Sequence, residues 1–239
     1  MKTKLLHTIG AMAMTWPVMG ATLTSGHVDF IGIGYVGGAL EPHSHAHAGA
    51  IVDGSPLVED TEFEVGELSI QVAGNVTRPA GSEWSAVGVG SGVSFWALPE
   101  TSTPGQPFAG IGAEELTPSD WISPIRITLT NMSAPVGAHF SLLQTDGFGD
   151  PTFFMSTLDG GITAGDFYSM DLSIEDHAHF LWGFTELGVY DLTFEISGEH
   201  AVDGLKSSSA TYQFNVVPET STGLMSLLGA TVLLRRKRK

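Results

Sequence analysis

Histidines carry most of the chemistry that this 239-residue chain offers. His43, His45 and His47 form H-x-H-x-H, His177 and His179 form H-x-H, and His27 stands two residues before Asp29. His139 is alone beside Phe140. On an extended chain, residues two apart point to the same side. Each alternating set therefore puts its imidazoles on one strand face, where two of them can reach a single ion. With Asp or Glu nearby, neutral imidazoles suit Zn²⁺, Cu²⁺ or Ni²⁺. Cysteine is absent, so no thiolate competes and no disulfide braces the chain. Solvated loop histidines and hydrogen-bonded packing histidines produce the same pattern, so a ligand-free reading stands beside the metal reading. The metal reading draws on His27, Asp29, His43, His45, His47, His139, His177 and His179, with zinc or copper as the ion.

Other motifs are weaker. Gly32-Ile-Gly34-Tyr-Val-Gly37 matches G-x-G-x-x-G but opens no helix, and is read as a flexible hairpin turn rather than a dinucleotide site. No G-x-S-x-G elbow is present. Asp146-Gly-Phe-Gly-Asp150 lacks the spacing and closing Glu of an EF-hand loop and reads as an acidic turn. A secreted metal-dependent hydrolase would need a general base beside its ion, for which Glu175, Asp176 or Asp29 are the candidates. No recognised catalytic spacing supports it, and the chain is read as non-catalytic.

The elements that must position the histidines are short alternating strands. Residues 25–35, 39–48, 63–72, 93–98, 125–131, 137–145, 152–156, 168–174 and 208–216 read as strands separated by Gly, Pro and Asp turns. Residues 99–112, with three prolines, read as a long loop, and residues 114–120 as at most one helical turn. Residues 181–184 and 189–196 read as a hairpin joined at residues 186–188, with the His177/His179 pair at its mouth. The expected fold is all-β, a single antiparallel β-sandwich, Ig-like or jelly-roll in kind.

Both ends read as export signals. Residues 1–21 begin with Lys2 and Lys4, continue through an apolar run at 5–14 and end in Gly20-Ala21, the layout of a secretory signal peptide with its helix. The β-sandwich is expected over residues 22–216, and a tail over 217–239. In the tail, Val217-Pro218-Glu219 precedes an apolar helix at residues 223–234 and the basic run Arg235 to Lys239. Twelve helical residues span roughly 18 Å, short of the ~30 Å hydrocarbon core, so the tail reads as a transient membrane contact rather than a permanent anchor. All 26 acidic residues lie between Asp29 and Glu219, a stretch that holds only Arg78, Arg126 and Lys206 as basic residues. Such a body repels nucleic acid and anionic membranes and favours cations.

The tail resembles the PEP-CTERM sorting signal of bacteria that carry an exosortase, with Thr220 standing where that signal usually has proline. The body resembles the choice-of-anchor M domain, an actinobacterial-type surface-anchored domain. The residues behind this likeness are Gly26-His27-Val28-Asp29, the His43–His47 run, Arg78-Pro79-Ala80-Gly81, Trp96-Ala97-Leu98-Pro99-Glu100-Thr101, Gly110-Ile111-Gly112-Ala113-Glu114-Glu115, His139-Phe140-Ser141-Leu142, Thr145 to Thr152, and His177-Ala-His179 through Trp182 to Tyr190. The two resemblances imply export, processing by signal peptidase and an exosortase-type enzyme, and residence at the cell surface or in an extracellular matrix. They assign no reaction. The partners they imply are surface or matrix components.

Overall fold

A computed structural model of the chain describes residues 20–158 and 160–219. The expected signal helix and the apolar helix at 223–234 lie outside the described residues, and among those described no helix is long and apolar enough to cross a membrane. The strands are β1 (Ala21–Val36), β2 (Ala39–Ala46), β3 (Ile51–Val52), β4 (Ser55–Pro56), β5 (Thr61–Glu64), β6 (Leu68–Val72), β7 (Asn75–Thr77), β8 (Ser94–Leu98) and β9 (Pro107–Gly112). They continue with β10 (Ile125–Ser133), β11 (Phe140–Thr145), β12 (Pro151–Ser156), β13 (Phe167–Met170), β14 (His177–His179), β15 (Leu181–Phe184), β16 (Gly188–His200) and β17 (Gly204–Val216). Short 3₁₀ turns occupy Ser82–Val87 and Pro118–Asp120.

The expected all-β sandwich is present. The larger sheet runs β13-β10-β16-β17-β6-β1-β2-β5, with β9 and then β14 extending it from β1; the smaller runs β12-β11-β15-β8-β7. Alternation explains the packing. Tyr190, Leu192, Phe194 and Ile196 on β16, and Ala210, Tyr212, Phe214 and Val216 on β17, turn one buried face inward. Phe140, Trp182 and Phe184 of the smaller sheet meet them: the Phe214 ring lies 5.4 Å from Trp182 and 5.1 Å from Phe184. Fully burying each such ring contributes roughly 1.5–3 kcal/mol.

The pairing is not purely antiparallel. β1 runs parallel to β6 and β9, and β17 parallel to β6. Parallel neighbours require long connections, and these pairs are indeed joined through intervening strands of the other partners. Strand β1 is the pivot: its start pairs with β6 and β3, and from Gly26 onward it pairs with β9 and β2. Gly26 has φ +99 and a Cβ there would meet Ala50 Cα at 2.6 Å, so only glycine fits this change of partner.

Three further expectations are corrected. Residues 99–112 are not all loop, because β9 forms in their second half. It is buried beside β1, and its Gly110 and Gly112 lack the side chains by which a strand is recognised. Residues 63–72 divide into β5 and β6 around Gly66, at φ +87. Residues 176–197 are no hairpin: β14 pairs β9, β15 lies between β11 and β8 in the smaller sheet, and β16 belongs to the larger one. The chain crosses from sheet to sheet at residues 185–187. There the Tyr190 hydroxyl donates to the Glu186 carbonyl (2.9 Å) and accepts from its N–H (3.0 Å), which fixes the corner.

Candidate metal centre

The sheet around β1 brings the histidine blocks to one face. Asp29 on β1 lies opposite His45 on β2 and opposite Gly110 on β9. On the far side of β9, His179 lies opposite Gly110 and His177 opposite Gly112. Side chains from β1 and β14 thus lean toward each other over a middle strand that presents only glycine in these rows. A Cβ at Gly110 would stand 2.8 Å from Asp29 Oδ1, 2.9 Å from His177 Nε2 and 3.0 Å from His179 Cε1; one at Gly112 would stand 2.9 Å from Asp29 Cγ. The glycines make the room that the imidazoles and carboxylate fill. A bulge sharpens this arrangement. The register of β1 against β2 shifts between Asp29 and Gly32, so both residues face the same side, and Ser44 Oγ donates to the freed Phe30 carbonyl (2.8 Å).

The atoms converge on Asp29, which is 2 % exposed. Its Oδ1 lies 2.9 Å from His177 Nε2 and 3.7 Å from His27 Nε2; the two imidazole nitrogens are 3.4 Å apart. Its Oδ2 accepts from His47 Nε2 (3.1 Å). His27 is stacked between His47 (centroids 4.1 Å) and His177 (5.1 Å), and His179 closes the group with its ring 4.5 Å from His177. Phe108 packs flat against His179 at 3.5 Å. His27, His177 and His179 form one three-donor group, and His27, Asp29 and His47 another. Ligands at ~2.0–2.2 Å from one tetrahedral zinc ion are themselves separated by roughly 3.3–3.6 Å, and Asp29 Oδ1, His27 Nε2 and His177 Nε2, at 2.9, 3.4 and 3.7 Å from one another, lie within a few tenths of an ångström of that spacing.

Hydrogen bonds do not account for this packing. His177 Nε2 is near Asp29 Oδ1 but not aligned on it, and Oδ1 is buried with no hydrogen-bond partner. His179 Nδ1 is likewise buried and unpartnered, while the neighbouring Ala109 carbonyl accepts the Trp182 indole N–H (3.2 Å). Leaving a buried polar atom unsatisfied costs about 1–3 kcal/mol, more for a charged group.

Charge follows from burial and neighbours. Burial lowers His179 to about 4, and burial lowers His27 as well, so both are neutral at pH 7, the form that binds metal. His177 is raised to about 10 by Asp29 on one side and Glu114 on the other, against burial. Burial pushes the Asp29 carboxyl up, but His177 and His47 outweigh it and hold it below its ordinary value. Glu114 Oε1 stands 2.8 Å from His177 Nδ1, the nitrogen facing away from Asp29. This is the outer-partner arrangement in which a carboxylate orients a metal-binding imidazole.

The centre thus gathers His27, Asp29, His47, His177 and His179, with His45 at its edge, and leaves out two expected members. His43 is displaced one row along β2: it lies over Gly32 and pairs with Glu115 (Nε2 to Oε1, 3.0 Å). His139 immediately precedes β11 in the smaller sheet, where its N–H donates to Thr185 Oγ1 (2.8 Å) and its ring abuts Gly88. Of the proposed general bases, Glu175 accepts the Tyr168 hydroxyl instead. The G-x-G at 32–34 is not a turn; both glycines lie within β1, their missing side chains making way for His43 and Glu115, while Gly37 and Gly38 form the turn. Glu114 and Asp60 were missed. The signal for Glu114 was the preceding G-x-G at 110–112, which on a strand marks space claimed by neighbours.

Gly110→Ala isolates the role of that space. Gly110 has ordinary strand geometry, and the atoms a methyl would meet are side-chain ends. The variant is expected to keep its thermal midpoint within a few degrees but to lose zinc affinity by roughly 10- to 100-fold, the range seen when ligand orientation is disturbed. Calorimetric titration alongside thermal melts checks this.

Comparison of the chain with family models, with curated proteins and with solved structures finds no match.

Proposed function

We propose that the protein is an exported, non-catalytic β-sandwich of the choice-of-anchor M kind, placed at the cell surface or in an extracellular matrix. In this reading it holds a transition-metal ion, zinc or copper, between His27, Asp29, His177 and His179. The carrying observation is Asp29 Oδ1: a buried carboxylate oxygen without a hydrogen bond, facing two imidazole nitrogens at 2.9 and 3.7 Å. A metal ion there gives Oδ1 a directed partner and takes the place of the proton that His177 otherwise holds between Asp29 and Glu114. Three imidazoles and one carboxylate, with no sulfur, form a donor set suited to Zn²⁺ or Cu²⁺.

The ligand-free, structural or adhesive reading expects the histidine blocks to be scattered, and that expectation fails for His27, His47, His177 and His179. A hydrolase would add a base and a substrate cleft to the same ion, and Glu114, the carboxylate beside His177, is engaged with that imidazole. The acidic body and the tail, with its likeness to a sorting signal, support export and processing by signal peptidase and an exosortase-type enzyme.

Metal analysis tests the reading. Purified protein equilibrated with zinc and dialysed is expected to retain a tightly held ion, and the His177→Ala/His179→Ala double variant to lose it. Failure of the wild-type protein to bind zinc or copper in dialysis and calorimetry would end this reading.

A further inference from the structure

Asp29 has a second oxygen, and following it leads to a second set of donors. Oδ2 accepts from His47 Nε2 at 3.1 Å. That hydrogen bond fixes the tautomer of His47: the proton sits on Nε2, and the lone pair is left on Nδ1. Nδ1 faces Asp60, with Oδ2 of that carboxylate at 3.9 Å. The same Asp60 oxygen is 3.9 Å from His45 Nε2. Asp60 is itself held in place, because its other oxygen accepts the Ala48 N–H at 2.8 Å. His45 lies near the end of β2 and His47 just past it, and their rings are stacked 6° from parallel at 4.8 Å.

We infer that His45, His47 and Asp60 form a second transition-metal site, lying outward of the first and joined to it through Asp29. This rests on the reading of the inner centre, since Asp29 is shared. The three donor atoms lie within 4.8 Å of one another. The two 3.9 Å gaps need to close by only several tenths of an ångström to match the roughly 3.3 Å separation of two ligands on a tetrahedral ion. Asp60 is well exposed at 57 %, so its Oδ2 can make that movement by a pivot about the bonded Oδ1.

The sharing of Asp29 makes two nearby ions compatible. Two divalent ions repel, and a buried carboxylate between them offsets part of that repulsion. Asp29 serves the inner ion as a ligand through Oδ1 and the outer ion as the orienting partner of His47 through Oδ2. The near-parallel run of rings from His45 to His47, His27 and His177 shows the same continuity across β2, β1 and β14. With one carboxylate and two imidazoles, the outer site offers fewer protein ligands and more solvent access than the inner one, and so is the weaker of the two.

Stoichiometry on the full chain separates the possibilities. Equilibrium dialysis against Zn²⁺, followed by metal and protein analysis, is expected to give two ions per chain for the wild type. Asp60→Asn/His45→Ala is expected to give one, with a metal-free melting temperature within a few degrees of the wild type, because Asp60 is exposed and His45 is only partly buried. Asp60→Asn alone is expected to weaken the second binding step at least tenfold. His177→Ala/His179→Ala is expected to keep the outer ion. One ion in the wild type that persists in Asp60→Asn/His45→Ala overturns the second site and leaves the inner centre standing. Two ions persisting in that variant also overturn it, since the second ion is then held elsewhere. No ion in the wild type overturns the inner centre as well.

Discussion

Asp29→Ala is expected to lower zinc affinity by at least about 100-fold and, without metal, to destabilise the fold by about 3 kcal/mol. Both effects have the same origin. Asp29 is the most deeply buried carboxylate among the described residues, 2 % exposed, and it faces His177, His27 and His47 at once. Removing it takes away an anionic ligand, a loss at or beyond the upper end of what disturbing an outer partner costs. It also strands the charge on His177 with Glu114 alone and deprives His47 of its acceptor. Breaking a buried ion pair from one side costs about 3–5 kcal/mol, and the partial exposure of His177 places this case at the low end. Urea unfolding in chelator reads the stability term as a shifted midpoint with unchanged slope. Asp29→Asn separates the two effects, because its amide oxygen still accepts from His47 while the charge is gone. It is expected to recover part of the stability and little of the affinity. If Asp29→Ala unfolds more easily while zinc stabilises neither protein, Asp29 has only a structural role.

The sandwich was legible because its long strands alternate: Tyr190, Leu192, Phe194 and Ile196 announce a buried face through side chains alone. The candidate centre was legible in part for the same reason, since H-x-H spacing survives on β2 and β14. What was hidden depends on non-local geometry. Strand β9 presents Gly110 and Gly112 where a strand normally shows branched or aromatic residues, so it read as loop, yet its bareness is what lets Asp29 and His177 meet. His43 and His45 keep the two-residue period on β2, but pairing sets His43 over Gly32 and beside Glu115, one row from Asp29, which spacing alone cannot foresee. His139 looked equivalent to the other histidines, but pairing sends β11 to the opposite sheet. Glu114 and Asp60 are acidic residues among many, and only their approach to His177, and to His45 and His47, sets them apart.

Zinc binding is expected to strengthen as pH rises from about 7 toward 10, by up to tenfold per unit, with about one proton released per ion at the inner centre. The proton is that of His177, whose pKa Asp29 and Glu114 raise to about 10, so at neutral pH it must leave before Nε2 can take a metal. In the metal-free fold the sign is reversed. A pKa raised above its unfolded value near 6.5 contributes stability that is complete below that pH and is lost as pH rises through about 10. Asp29, whose pKa is lowered, contributes stability present above about pH 4 and lost as pH falls. His179 and His27, whose pKa values burial lowers, contribute the opposite term, since stability is lost as pH falls below about 6.5 and the unfolded chain takes up the protons that the fold refuses. The metal-free protein is therefore most stable near pH 6.5, and zinc adds most stability above it. Glu114→Gln removes one of the two charges that hold the proton, so the His177 pKa falls. Its affinity should level off at lower pH, and calorimetry at pH 8 in buffers of different ionisation enthalpy should read less proton release. The glutamine oxygen still accepts from Nδ1–H but without charge, so affinity at high pH, where the proton no longer competes, should drop by roughly tenfold. Proton release equal to that of the wild type would mean that Glu114 does not hold the His177 proton and that its place beside Nδ1 has no part in metal binding.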